Sequence, residues 1–365
     1  MPADRIDAQV AVIGAGQAGL SVAYYLRRLG LEPGVDQIIL DRGPSTGGAW
    51  QFRWESLRLG VAHRVADLPG MQELGVSFDT ADRSLPARQV VEEYYRRYEE
   101  HYDMRVVRPA SVFRVENEGE ALVVRYTAGE SEHSLVARTI VNATGTWGSP
   151  FVPWYPGLDR FKGRMLHTAQ YRSADALRGL DVVVVGGGTS AIGFVMELDE
   201  VAASVTWVSR RPVEWLHEQE NLDTETAIAA VAAQEEAARE GRALPSIVSG
   251  TGVPLTRRMQ AAIDRGALIR HPMFTSVEEH GVRFADGRFQ RADVIIWATG
   301  FRPELRHLAP LRLREKAGGV TVTRSTSLKD PRVFFAGYGP TASTIGANRA
   351  GRTIAREVIA QLSRK

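Results

Sequence analysis

The chain opens on an apolar run at 8–13, passes a glycine-rich stretch, and then places Leu20, Ala23, Tyr24 and Arg27 at the spacing of one helix before a second apolar run at 37–40. Short apolar runs bounded by glycine read as buried strands, and a 3.6-residue period reads as a helix. The pattern therefore predicts a strand at 8–13, a helix at 20–29 and a strand at 37–40 ending at Asp41. It recurs later, with a strand at 181–185, a helix at 192–201 and a strand at 204–208. One supersecondary unit is thus written twice in non-identical form, which is a statement about architecture. Two further apolar runs, 138–145 and 292–300, each end in Ala-Thr-Gly. Each follows alternating strand patterns, 112–115 with 122–126 and 277–279 with 282–284, and Asp286-Gly287 predicts a hairpin turn.

These repeats predict an α/β fold with two Rossmann-like dinucleotide-binding domains, the second inserted in the first. The expected boundaries are 1–155 with 295–365 for the first domain and 156–294 for the second. Segments 146–157, with Trp147, Gly148, Pro150 and Pro153, and 299–303 read as the hinges. A helical insertion is expected at about 213–260. Its Ala/Glu-rich part, 223–240, is strongly helix-favouring, and 243–254 reads as a loop. A solvated helix, a lid and a homodimer contact are the open readings of that insertion.

The turns between strand and helix carry the chemistry. Gly14-Ala15-Gly16-Gln17-Ala18-Gly19 and Gly186-Gly187-Gly188-Thr189-Ser190-Ala191 both follow the GxGxx(G/A) spacing between a strand and a helix. That spacing brings backbone N–H groups and a helix N-terminus to a pyrophosphate. The residue ending the next strand separates the cofactors. Asp41, followed by Arg42, lies about 20 residues beyond Gly19, where a carboxylate accepts from ribose hydroxyls and repels a 2′-phosphate. The second unit ends its strand in Ser209-Arg210-Arg211, two guanidiniums and a hydroxyl that suit a 2′-phosphate. The expectation is FAD, or NAD, on the first loop and NADPH rather than NADH on the second.

Composition narrows the function classes. At 365 residues and 44% hydrophobic the chain can bury two cores. A formal net charge of +2 gives no basic field for nucleic acid. There is no cysteine, so thiol redox chemistry, disulfides and Cys-ligated metals are excluded. The apolar strand begins too early for a signal peptide, and no apolar run approaches the ~18 residues of a membrane span. A cytoplasmic protein without membrane attachment is expected.

On these motifs the chain resembles the class B flavin-dependent monooxygenases, the group of flavin-containing monooxygenases and Baeyer–Villiger enzymes, in a short bacterial form. Gly14, Gly16 and Gly19 match the family's FAD loop, and Gly47-Gly48-Ala49-Trp50 its Gly-Gly-x-Trp segment. Gly186, Gly188 and Ala191 match its NADPH loop. Residues 161–171, from Phe161 through Gly163 and His167 to Tyr171, fit the fingerprint FxGxxxHxxx(Y/F), and Tyr171 leans towards the N/S-oxygenating branch. Ala298-Thr299-Gly300-Phe301 resembles the late ATG-(F/Y) motif, and 334–338 the strand that returns to FAD. The resemblance implies cofactor contacts at Gly14, Gly16, Gln17, Ala18, Gly19, Asp41, Arg42, Gly48, Trp50, Ala143, Thr144, Gly145, Gly337 and Tyr338, and at His167, Gly186, Gly188, Thr189, Ser190, Ala191, Ser209, Arg210, Arg211, Ala298, Thr299 and Gly300. The chain departs from the family at Gly60, which stands where flavin-containing monooxygenases carry an Asn.

The resemblance also implies the reaction: oxygenation of a soft nucleophile, an amine or sulfide, by O2 through a C4a-hydroperoxyflavin, with no catalytic side chain and no metal. The alternatives are an NAD(P)H-dependent flavin oxidoreductase or oxidase without oxygenation, a Baeyer–Villiger monooxygenase and a degenerate redox sensor. The partners implied are a small-molecule substrate and O2, with no nucleic acid and no membrane.

Overall fold

The computed structural model describes residues 6–62, 65–216, 224–244, 252–342 and 344–364. The chain divides into two compact units. The first is Met1–Thr146, Val231–Pro245 and Pro303–Lys365, and the second is Trp147–Ala230 and Ser246–Arg302. The boundaries fall at 146/147, 230/231, 245/246 and 302/303, the first and last of them within the segments 146–157 and 299–303 read as hinges, whereas the domain limits were expected near 155 and 295. The segments next to these two outer boundaries pair with each other inside the second unit. Phe151 N–H donates to the Gly300 carbonyl at 3.0 Å, and Arg302 N–H donates to that of Ser149 at 2.8 Å.

The chain begins with β1 (Ala8–Ile13), α1 (Gln17–Arg28), β2 (Gln37–Leu40), α2 (Ala87–His101), β3 (Ser111–Glu118), β4 (Ala121–Ala128) and β5 (Ser131–Asn142). In the first unit the sheet runs β2-β1-β5 in parallel. β5 is long because it has different neighbours along its length within one sheet. Its first half, exposed from Ser131 to Ser134, pairs antiparallel with β4, and its second half, buried from Thr139 to Asn142, pairs parallel with β1. Continuous burial is what a strand covered on both faces requires. Along β1 the faces alternate: Val10 and Val12 join α1 and α2 in one core cluster, and Ala11 and Ile13 join the other.

The second unit holds β6 (Arg164–His167), β7 (Asp181–Val185), α3 (Thr189–Leu198), β8 (Ser204–Val208), β9 (Trp215–Leu216), the start of α4 (Thr224–Arg239), β10 (Val253–Pro254), α5 (Arg257–Asp264), β11 (Arg270–His271), β12 (Ser276–Glu278), β13 (Gly281–Arg283), β14 (Phe289–Arg291) and β15 (Val294–Trp297). Five of these strands form a parallel sheet in the order β11-β8-β7-β15-β6, and β12-β13-β14 form an antiparallel one. Val183, Val185, Ile295 and Trp297 share a core with Phe274, Val277 and Val282. The expected hairpin turn sits at Asp286-Gly287, where Gly287 N–H donates to the Phe284 carbonyl at 3.0 Å.

The chain returns to the first unit through β16 (Val322–Thr323), β17 (Thr326–Ser327), β18 (Val333–Phe335) and α6 (Thr344–Leu362). β18 adds to β5 in parallel, and α6 packs on α1. The Ala/Glu-rich helix α4 departs from expectation, since from Val231 it counts with the first unit. Ala238 is buried there beside Leu305 and Tyr338. Of the loop expected at 243–254, residues 245–251 lie outside the described residues.

Both helices of the repeats start earlier than the periodicity indicates, at Gln17 and Thr189 instead of Leu20 and Ile192. The last three residues of each glycine motif are already the first helical turn. Their N–H groups precede the first intrahelical bonds and therefore point out of the helix unbonded. No helix among the described residues is long and apolar enough to cross a membrane.

Candidate functional site

In the first unit, Gly14 turns the chain out of β1 at φ +105, and a Cβ there would lie 2.5 Å from the Ala143 carbonyl oxygen. Only glycine fits such a conformation and approach. A Cβ at Gly19 would lie 1.8 Å from the Gly14 carbonyl oxygen. These two glycines are required by the protein's own packing. Gly16 is different: a Cβ there would have only the Gly48 Cα within reach, at 3.8 Å. Its bareness leaves room for something outside the chain, as a pyrophosphate needs. Gly16 is the N-cap of α1 and offers no side-chain bond, so the helix N-terminus is open to an anion.

The other expected residues of this unit divide by what surrounds them. Gly48 borders Gly16, and Gly337 lies near Ala18. Thr144 bonds the Glu304 carbonyl at 2.8 Å, and Gly145 accepts from Glu304 N–H at 3.0 Å, so this segment is fixed within the unit. Asp41 is buried, its Oδ2 accepting from Ala15 N–H at 2.7 Å and its Oδ1 from Gly43 N–H at 2.8 Å. Arg42 is exposed. Trp50 is buried in the core with the Arg53 guanidinium 5.4 Å from its ring centre. The Tyr338 ring belongs to the opposite core cluster, and its hydroxyl accepts from Val320 N–H at 2.9 Å. Its side chain is thus engaged by the core, leaving only its backbone to follow Gly337 past the loop. Gln17 donates to the Ala66 carbonyl at 2.7 Å.

The second unit repeats the arrangement at atomic detail. Gly186, at φ +146, would place a Cβ 2.3 Å from the Ala298 carbonyl oxygen, the counterpart of Gly14 against Ala143. Gly188 caps α3 without a side-chain bond, so Thr189, Ser190 and Ala191 present an open first turn. The loop is fastened to the end of β8, with Gly186 N–H donating to Val208 at 2.9 Å and Trp207 Nε1 donating to Gly186 at 2.7 Å. A Cβ at Gly187 would touch that of Ser209 at 3.6 Å. Ser209 is buried, and its hydroxyl donates to the Arg211 carbonyl at 2.6 Å. It therefore shapes the turn rather than offering its proton to a ligand. Arg210 and Arg211 are exposed, with no ion-pair partner among the described residues.

His167 is 3% exposed. Its Nδ1 accepts from Ala169 N–H at 3.2 Å, which leaves the proton on Nε2 for the Gly300 carbonyl at 2.9 Å. Burial lowers its pKa, opposed by the bond to Gly300. Both ring nitrogens are thus engaged inside the protein, and this residue acts on the Thr299-Gly300 segment by holding it. Thr299 also donates to the Phe151 carbonyl.

Three residues near the first loop carry no sequence signal. Arg108 makes two bonds to Glu99, at 2.8 and 3.0 Å, and reaches Asp41 Oδ1 at 3.4 Å. His307 donates from Nε2 to Asn142 Oδ1 at 2.8 Å, just before the Ala143-Thr144-Gly145 turn. All three are isolated polar residues brought in by the fold, so neither spacing nor periodicity marks them.

The chain is similar to proteins of known family and structure. Residues 11–241 match the pyridine nucleotide-disulphide oxidoreductase family. A flavin-containing monooxygenase from Stenotrophomonas maltophilia superposes with a TM-score of 0.79 at 32% identity, over 98% of this chain and 99% of that one. The indole-3-pyruvate monooxygenase YUCCA4 of Oryza sativa subsp. japonica is 29% identical over 362 residues, covering 87% of this chain and 79% of that protein. The bacillithiol disulfide reductase of Bacillus cereus shares the fold, with a TM-score of 0.71 at 22% identity over 99% of this chain and all of that one. The chain belongs to the pyridine nucleotide-disulphide oxidoreductase family and, within it, to the flavin-dependent monooxygenases.

Proposed function

We propose that the first unit holds FAD, the second holds NADPH, and the pair oxygenates an amine or sulfide with O2. The observation that carries the cofactor reading is the repeated cradle: two open helix N-termini, each beside a glycine pressed on an alanine carbonyl. The donor sets then differ in charge. Asp41 suits ribose hydroxyls, and Arg210 with Arg211 suits a 2′-phosphate. Bound together, the nicotinamide and the flavin supply two-electron reduction and the activation of O2. The chain's own work is to bind and orient them. Gly16 and the first turn of α1 receive one pyrophosphate, Gly188 and the first turn of α3 the other, and His167 fixes the Gly300 carbonyl. Oxygenation rather than disulfide reduction is supported by the complete absence of cysteine. The reaction draws on NADPH and O2, which suits a cytoplasmic location.

A second reading, an NAD(P)H oxidase that releases peroxide, is favoured by one residue. Gly60 has no side chain to offer, and a Cβ there would lie 3.1 Å from the Arg83 carbonyl oxygen. The test is electron accounting. The FAD-loaded protein is given NADPH, O2 and either a tertiary amine or an aryl sulfide, and oxide and peroxide are measured together. Oxide accounting for most of the NADPH consumed supports oxygenation. Peroxide alone, with every amine and sulfide tried, supports the oxidase, and ester formed from a ketone would instead point to Baeyer–Villiger chemistry.

A further inference from the structure

Asp41 is gripped from one side by the segment around Arg108. Its N–H donates to the Val107 carbonyl at 3.0 Å, and its carbonyl accepts from Ala110 N–H at 2.7 Å. Its carboxylate then meets Arg108 Nε at 3.4 Å, while the two terminal nitrogens of that guanidinium are taken by Glu99 on α2. The three side chains are only 9%, 11% and 12% exposed for Asp41, Arg108 and Glu99. A buried carboxylate–guanidinium–carboxylate chain is a poor way to gain stability, because desolvation offsets most of the attraction. What it does provide is direction. The bidentate pair fixes the plane of the guanidinium, and that plane fixes Asp41 Oδ1.

Counting acceptor capacity shows what is left over. Each carboxylate oxygen accepts about two hydrogen bonds. Oδ1 receives Gly43 N–H and Arg108 Nε, so it is filled. Among the described residues Oδ2 receives only Ala15 N–H, from the glycine loop itself. One acceptor position therefore remains, on the oxygen beside the loop. We propose that the Glu99–Arg108 pair is a positioning device for Asp41 that keeps Oδ2 aimed for the adenosine ribose, and so sets the preference for FAD over flavin mononucleotide. This rests on the reading that the first unit holds FAD. Flavin mononucleotide has no adenosine, so it gains nothing from Asp41.

The test compares the dissociation constants of FAD and of flavin mononucleotide by flavin fluorescence, for the full chain and for Arg108→Met, Arg108→Lys and Glu99→Gln. Arg108→Met is expected to weaken FAD about ten- to a hundredfold, the scale of a lost bond to a charged group, with flavin mononucleotide unchanged. Arg108→Lys should fall between, since one ammonium cannot hold both carboxylates in fixed planes. Glu99→Gln should lower the FAD preference by a smaller factor. An unchanged FAD-to-mononucleotide ratio in these variants, or equal loss of both flavins, overturns the proposal and leaves the chain of charges a merely structural feature. If Arg108→Met does not fold, Arg108→Lys and Glu99→Gln decide alone. Gly16→Val separates the two layers. Full FAD retention there overturns the assignment of FAD to this unit, whereas FAD loss there with an unchanged ratio in the other variants overturns only the role of Arg108.

Discussion

At the scale of single residues, the proposed nucleotide preferences and the response to pH both lead to measurable expectations. Arg210 and Arg211 are exposed at the end of β8 and have no carboxylate partner among the described residues, so replacing them should disturb little besides a bound phosphate. Arg210→Ala with Arg211→Ala is expected to lower kcat/KM for NADPH about ten- to a hundredfold while changing NADH by less than about threefold. Steady-state kinetics with both nucleotides checks this, and equal losses would refute the 2′-phosphate assignment. His307 makes a different prediction. Burial, aided by Arg42 and opposed by Glu304, lowers its pKa to about 4. The unfolded imidazole titrates near 6.5, so between those values the unfolded chain binds a proton that the folded one does not. The resulting stability is fully present above pH ~6.5 and is lost as pH falls towards 4, by up to about 3 kcal/mol. His167, whose pKa is also lowered, adds in the same direction. Urea midpoints at pH 7.5, 6 and 5 should fall in the native chain, and the slope should flatten in His307→Gln. Parallel slopes in the two proteins would rule out His307 as the source.

At the scale of elements, the strand–loop–helix unit is where sequence and structure agree in kind and differ in boundary. The apolar runs of β1, β7 and β15 were legible because strands covered on both faces are apolar almost throughout, Gln9 and Asp181 being the exceptions. The helix starts were not, because the last residues of each glycine motif look like a turn yet already belong to α1 and α3. Gly16→Val tests the element as a whole. A Cβ at Gly16 meets the Gly48 Cα at an ordinary 3.8 Å, so the Gly16→Val variant is expected to melt near the native apoprotein yet bind FAD at least about a hundredfold more weakly. Retention of yellow, stoichiometric flavin would show that the loop does not receive the pyrophosphate. The helix α4 shows the opposite limit of local reading. Its Ala/Glu composition predicts helix correctly but cannot say what it packs on, and only the fold places Ala238 in the core of the first unit.

Over the whole molecule, two compact units with separate cores predict two ligand-linked stabilities. FAD at a hundred times its dissociation constant should stabilise the unit that binds it by about 2.7 kcal/mol, and NADP⁺ likewise the other. Calorimetry should therefore show one transition moved by FAD and a different one by NADP⁺, with the FAD shift absent in Gly16→Val. Movement of a single shared transition by either ligand would show that the units do not melt separately. The sequence by itself determined the two dinucleotide loops, the charges that separate them, and the exclusion of thiol chemistry, because each depends on neighbours close along the chain or on the presence of a residue type. Only the tertiary structure decided that His167 and Tyr338 turn inward, that the crossings pair within the second unit, and that Glu99 and Arg108 stand behind Asp41. Those outcomes depend on groups distant in sequence meeting under burial, where leaving a polar atom without a partner is costly, and no local pattern carries that information.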